Sequence, residues 1–200
     1  MILPIYTYGQ PILRETTIPV EEDSPELQRL IDDMIETVRH ATGVGLAAPQ
    51  VGRTERLFVV DLTGAAEEMA EANEGAVPFY AQEPIALINP EILEADEGTA
   101  MEFEEGCLSV PGITEWVTRP DRVRIRFLDR QFTEHELEAD DILARVFQHE
   151  LDHLNGVLFL DHLSPLKKRM LKRRLTEMAK GFIEVEYPVA PPGAMASAQG

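Results

Sequence analysis

Between about Asp140 and Asn155 the chain reads as an apolar helix that also carries His149, Glu150 and His153, and this segment limits what the remainder can fold into. Ile142, Val146, Leu151 and Leu154 recur at helical spacing, and Gly156 stands where a left-handed residue would end the helix. An apolar helix seeks burial, but an imidazole or carboxylate buried without partners is costly. Gln148 and Asp152 add further polar groups, so a buried polar site is being built and the chain must wrap around it. Positions i and i+4 stack on one helical face, so the imidazoles of His149 and His153 can converge on one divalent metal. Glu150, beside the first of them, can take a proton from a water held there. Alone, the match fits equally a helix with two surface or core histidines and an ordinary glutamate.

A catalytic site of this kind needs a third ligand, and the choice of ligand separates one enzyme class from another. His162 lies too far beyond His153 for the metzincin spelling. Glu177, Glu184 and Glu186 stay open, although each sits in a basic helix or in the loose C-terminal stretch. Cys107 is the better candidate. It lies in Glu104-Glu-Gly-Cys-Leu-Ser-Val-Pro-Gly112, where Gly106 permits an unusual backbone and Pro111-Gly112 forces a turn. Taken by itself, a single cysteine is also a small buried hydrophobe.

Two hundred residues, 44% of them hydrophobic, suffice for one domain with a real core. We expect that domain over residues 1–185, with an Ala/Glu-rich, exposed acidic insertion at about 64–83 holding one helical turn. Residues 186–200 run into Pro, Ala, Gly and Ser and are expected to be a disordered tail. One cysteine excludes an intrachain disulfide framework, the N-terminus lacks a signal peptide, and no apolar run reaches the length of a membrane span. The expected location is the cytoplasm. A net charge of −18 argues against general DNA binding and suits a solubility surface or a salt-rich cytoplasm. Residues 167–174 nevertheless hold six of the 18 Lys and Arg residues, giving one basic helix over 165–180.

Ser24-Pro25 followed by Leu27, Leu30, Ile31, Met34, Ile35 and Val38 predicts an amphipathic helix over 25–41. Strands are expected at 56–62, 84–90, 91–103, 107–110, 122–128 and 133–137, with Val123, Ile125 and Phe127 alternating onto one face. A last helix begins near Ser164-Pro165, with Leu166, Met170, Leu171, Leu175 and Met178 on one side. The fold class is α+β: short antiparallel β-sheets wrapped around a central metal-binding helix, with an N-terminal and a C-terminal helix.

Three segments taken together carry a resemblance. Gly43-Val-Gly-Leu-Ala-Ala-Pro-Gln50, Glu105-Gly-Cys-Leu-Ser109 and Gln148-His-Glu-Leu-Asp-His153 resemble, in order and spacing, the three signature motifs of peptide deformylase. Val110-Pro111 and Arg119-Pro120 agree as well, and the likeness covers about residues 5–180. Peptide deformylases remove the formyl group from the N-terminal formylmethionine of nascent proteins. The resemblance implies that Cys107, His149 and His153 hold one divalent metal, leaving a fourth position open to water. Fe²⁺ is the ion it favours, with Zn²⁺, Ni²⁺ or Co²⁺ as replacements. Glu150 would move the proton, and the Gln50 side-chain amide with the Leu108 backbone N–H would donate to the oxyanion.

Gly43 and Gly45 would let a substrate backbone approach, with Val44–Gly45 pairing to an extended peptide. Val44, Ile142 and Val146 are candidates for the methionine pocket, and Arg145 either borders it or faces solvent. Glu105 and Arg119 would form an ion pair that steadies the site. Well-known deformylases carry a substrate-contacting arginine where this chain has Ile113-Thr-Glu-Trp116, which puts peptide contacts there in doubt. The basic helix at 165–180 suits docking on ribosomal RNA. Two other functions compete: another HExxH metallopeptidase, indifferent to Cys107→Ser, and a non-catalytic ribosome-associated binding protein.

Overall fold

The computed structural model describes residues 1–72 and 74–194. Among them, strands β1 (Gly45–Ala47), β2 (Leu57–Val60), β3 (Ile85–Ala95), β6 (Arg122–Leu128) and β7 (Glu134–Asp140) form an antiparallel sheet in the order β1-β2-β3-β6-β7. Strands β4 (Ala100–Gly106) and β5 (Thr114–Pro120) form a separate antiparallel hairpin. Helices α1 (Pro25–His40) and α4 (Asp141–Leu154) pack on the larger sheet.

The sequence of β2 explains the layering. All four of its residues, Leu-Phe-Val-Val, are buried, and a strand apolar on both faces must be covered on both. Leu57 and Val59 join the core under α1, whereas Phe58 and Val60 join the core around α4. Ser24 caps α1 by accepting from the Leu27 amide, and Leu27, Leu30, Ile31, Met34 and Val38 fill that side. Strand β6 alternates as expected: Val123, Ile125 and Phe127 are buried, while Arg124 and Arg126 turn outward to Glu94, Glu136 and Glu91.

Helix α4 is covered almost throughout. Leu143, Phe147 and Leu154 seat it in the core, with the Phe147 ring centroid 6.1 Å from that of Phe58. Ile142, read from spacing as part of the stripe, is instead 41% exposed. The helix stops at Gly156, whose φ of +72° suits a residue lacking a Cβ, and a Cβ there would come within 2.6 Å of the Arg14 carbonyl oxygen. Helix α5 (Pro165–Ala179) docks on a third apolar cluster through Leu175, Met178 and part of Leu171. Leu166 and Met170 face solvent, so the single stripe expected there is narrower.

Other expectations change. The 64–83 segment forms two helices, α2 (Ala66–Ala72) and α3 (Phe79–Gln82), and buries Ala81 while Met69, Val77 and Tyr80 pack on the α4 core. It is less exposed than its acidity suggests, because a few apolar side chains among the Ala and Glu supply a docking face. The stretch 91–103 divides at a turn, Glu97–Thr99, into β3 and β4. Residues 107–110 form a turn closed by Val110 N–H donating to Cys107 O, not a strand. Strand β5 was not expected.

The predicted disordered tail is also corrected over residues 186–194. Ala190 is buried, and Ile5 exchanges backbone hydrogen bonds with Pro188 and Ala190. Residues 195–200 lie outside the described residues. No helix among the described residues is long and apolar enough to cross a membrane.

Candidate metal centre

Three elements bring the site together. Helix α4 presents His149, Glu150 and His153, the turn after β4 presents Cys107, and a 3-10 turn at Ala48–Val51 presents Gln50. Cys107 Sγ, His149 and His153 each offer a ligand atom, all within 4.8 Å of one another. Cys107 Sγ lies 3.2 Å from His153 Nε2, and the two imidazole rings meet edge to face with centroids 5.0 Å apart. A thiolate with two imidazoles fits a divalent transition metal, softer than an oxygen-ligand site would select. Burial would raise the Cys107 thiol, but the charge of His153 and the hydrogen bonds with His149 and His153 bring it down to about 5.

Glu150 completes the cluster. It is 4% exposed, and its Oε2 has no hydrogen-bond partner among the described residues. Burial pushes its carboxyl up to about 7, against the pull of the neighbouring imidazoles. A buried carboxylate oxygen aimed at no protein donor is what a proton-accepting group beside a water site should look like. The main chain opposite is shaped to admit it. A Cβ on Gly45 would sit 2.4 Å from Glu150 Oε1, so any larger residue in β1 would displace the carboxylate.

Gln50 is held with a fixed orientation. Its Oε1 accepts from the Ala47 backbone N–H at 2.8 Å, so Nε2 points at Ser109 Oγ (3.2 Å) and Cys107 Sγ (3.5 Å). Pro49 within the 3-10 turn stiffens this arrangement. The amide therefore lies beside the Cys107 thiol with no conformational search needed.

Behind the three converging donors lies a buried charge network. Glu105 Oε1 accepts from Arg119 Nε at 2.7 Å and from Arg145 Nη1 at 2.9 Å, and Glu105 Oε2 accepts from Arg119 Nη2 at 3.0 Å. Glu105 Oε2 also lies 3.0 Å from His149 Nδ1, which places the proton on Nδ1 and frees Nε2 for the ligand cluster. Burial alone would raise the Glu105 pKa, but the bonds from His149 and Arg119 outweigh it and hold the carboxyl well below the usual range. The expected Glu105–Arg119 pair is present, and the network extends further. Arg119 Nη1 reaches Asp152 at 2.7 Å, and Asp152 in turn faces His162 Nε2 at 2.7 Å.

Arg145, left undecided by the sequence, is 5% exposed and bonds to Glu105, Val117 O and Met101 O. The signal for it was its place one helical turn before His149, on the same face.

A cavity of about 470 Å³ opens onto the cluster, with Val44, Ile142, Val146, Leu108 and Arg145 in its walls. All three candidate pocket residues, Val44, Ile142 and Val146, thus stand together. Strand β1 is one of the two edges of its sheet among the described residues. Because Val44 O accepts from the Asp61 amide, antiparallel alternation turns the N–H and C=O of Gly45 away from β2, toward the unpaired side. Glu177, Glu184 and Glu186 are not in the donor cluster. Sequence reasoning places Asp152 near the site but does not pair it with His162, and it misses Tyr187, whose hydroxyl donates to Leu108 O at 2.8 Å.

An α+β domain that buries a His-Glu-x-x-His helix against a cysteine on a neighbouring turn defines a metal-dependent hydrolase. The polypeptide deformylase family model matches residues 2–169. The peptide deformylase of Salinibacter ruber is 59% identical over 189 residues, covering 94% of each chain. The crystal structure of a peptide deformylase from Legionella pneumophila superposes with a TM-score of 0.77 at 40% identity, covering 91% of this chain and 98% of that one. The deformylase of Ehrlichia chaffeensis in complex with actinonin gives 0.76 at 34% identity, covering 88% and 97%. The chain belongs to the polypeptide deformylase family, and it is a metal-dependent hydrolase acting on N-formylmethionine peptides.

Proposed function

We propose that Cys107, His149 and His153 hold the catalytic metal, and that Glu150, Gln50 and Leu108 perform deformylation around it. The observation that carries this reading is the convergence of three donors within 4.8 Å beside a buried carboxylate with an unpartnered oxygen. A divalent ion bound there supplies Lewis acidity, acidifying water and polarising the formyl carbonyl. Glu150 Oε2 accepts the proton that water loses on attacking the formyl carbon, and returns one to the departing amine. Gln50 Nε2 and the Leu108 N–H donate to the oxyanion that develops, and the Ala47 hydrogen bond means that Gln50 needs no reorganisation to do so. Glu105, held by Arg119, keeps His149 in the tautomer that leaves Nε2 unprotonated.

The peptide backbone pairs with the free edge at Val44–Gly45, and the methionine side chain enters between Val44, Ile142 and Val146. Fe²⁺ is the ion we assign, on the deformylase resemblance; Zn²⁺, Ni²⁺ and Co²⁺ suit the same donors. The reaction belongs in the cytoplasm, where nascent chains emerge and a free thiol stays reduced.

Release of formate from formyl-Met-Ala-Ser by anaerobically purified protein tests this reading. The account expects turnover of that peptide and no cleavage of internal peptide bonds. Metal-loaded protein that releases no formate would overturn it, and internal cleavage would favour a zincin-type endopeptidase.

We further infer that the basic face of α5 docks on ribosomal RNA. Lys167, Lys168, Arg169, Lys172, Arg173 and Arg174 concentrate positive charge on a chain of net charge −18, and Arg173 is largely exposed. Charge reversal at Lys168, Lys172 and Arg173 should leave turnover of the short peptide unchanged and abolish co-sedimentation with ribosomes at low salt. Co-sedimentation that survives the triple reversal contradicts the docking.

A further inference from the structure

We propose that Tyr187 is a positioning residue for the Leu108 main chain, and that residues 183–190 form a strap that walls the catalytic cavity. This rests on the reading of the Leu108 N–H as an oxyanion donor. The strap lies beyond residue 169, where the family match ends.

The strap is a built element. Ile183, Val185, Tyr187 and Val189 are half-buried, while Glu184, Glu186 and Pro188 between them are exposed. That alternation is the pattern of an extended segment with one face inward. Its end is anchored to the N-terminal segment: Ile5 N–H donates to Pro188 O (2.8 Å), Ala190 N–H donates to Ile5 O (2.9 Å), and Gln10 Nε2 donates to Ala190 O (3.1 Å). These bonds fix the strap where Val185 and Tyr187 line the cavity of the metal cluster.

The tyrosine hydroxyl donates to Leu108 O at 2.8 Å. Leu108 follows the ligand Cys107 directly, in the turn closed by Val110 N–H on Cys107 O. Its N–H and C=O flank one Cα, so holding the carbonyl limits the torsions that aim the N–H. Gln50 Nε2 holds the same turn from the other side, through Ser109 Oγ at 3.2 Å. The Leu108 side chain lies against Gly43, where a Cβ would come within 2.8 Å of Leu108 Cδ1. The turn is thus pinned at its side chain, at its following hydroxyl and at its carbonyl. Only the last pin comes from the C-terminal strap. Burial and the negative charge of the nearby Cys107 thiolate push the Tyr187 hydroxyl up to about 12, so it stays a donor at neutral pH.

The test is Tyr187→Phe, which keeps the ring and removes one oxygen. Loss of an oxyanion donor outright costs about 100- to 1,000-fold, and loosening one should cost about tenfold in kcat. KM, bound metal and Tm should stay at the wild-type values, the split expected when only transition-state stabilisation is lost. In the zinc-loaded protein, the Ser109 amide resonance should shift, because the carbonyl it shares loses its donor. Wild-type kcat in Tyr187→Phe overturns the inference whether or not the Ser109 resonance moves, as does a kcat loss that follows a fall in Tm. Gln50→Ala in the same assay separates the two readings. If Gln50→Ala is slow and Tyr187→Phe is not, the positioning role alone fails. If Gln50→Ala retains full kcat, the oxyanion assignment fails, whereas the Ser109 shift still reports whether Tyr187 holds the turn.

Discussion

Glu150→Gln should lower the rate of formate release by about 10²- to 10⁴-fold, the range for loss of a positioned general base. Glutamine keeps the shape of the side chain, so the close fit against Gly45 is retained and the fold is undisturbed. It cannot accept the proton through a carboxylate oxygen. Glu150 is not one of the three converging donors, so bound metal should stay at one equivalent. The pairing of full metal content with lost turnover is the informative result. Measurement of kcat, KM and metal stoichiometry on one preparation checks it, and a variant that turns over normally would show that another group moves the proton.

The second large effect is loss of the thiolate. Cys107→Ala removes the one anionic donor, leaving two neutral imidazoles, and a bis-imidazole pair holds a divalent ion far more weakly than a three-donor site. Dialysed Cys107→Ala protein should contain well under one equivalent of metal and release no measurable formate. Cys107→Ser is the sharper comparison, since it keeps the volume and replaces a soft donor by a hard, weakly acidic one. Serine at this position should also abolish turnover with Fe²⁺. A zincin that takes its third ligand elsewhere would tolerate either change.

The parts of the site that could be read from the sequence are those written in local spacing. His149 and His153 stand one helical turn apart, α1 announces itself by Ser24-Pro25 and six apolar positions, and β6 alternates cleanly. Cys107 is a candidate from its Gly106 and Pro111-Gly112 surroundings, but only the motif resemblance sets it above a buried hydrophobe and adds Gln50, because nothing in local periodicity ties residue 50 to residue 107. What was not legible depends on long-range placement. Arg145 could have faced solvent, and only the position of the β4–β5 hairpin over α4 brings Glu105 within 2.9 Å of it. Asp152 and His162 meet because the chain turns back after Gly156. Composition alone misleads over residues 186–194, where Pro, Ala and Gly beyond residue 187 hide the alternation that Tyr187 and Val189 continue from Ile183 and Val185. Acidity likewise conceals, in the 64–83 segment, the few apolar side chains that dock it on the core.

The central claim is a metal centre built from Cys107, His149 and His153. X-ray absorption spectroscopy at the metal edge of the zinc-loaded protein tests it most directly. The account predicts one sulfur at about 2.3 Å and two imidazole nitrogens at about 2.0–2.1 Å. It also predicts loss of the sulfur shell in Cys107→Ser. A wild-type spectrum fitted by nitrogen and oxygen alone, or one that Cys107→Ser leaves unchanged, would contradict the assignment.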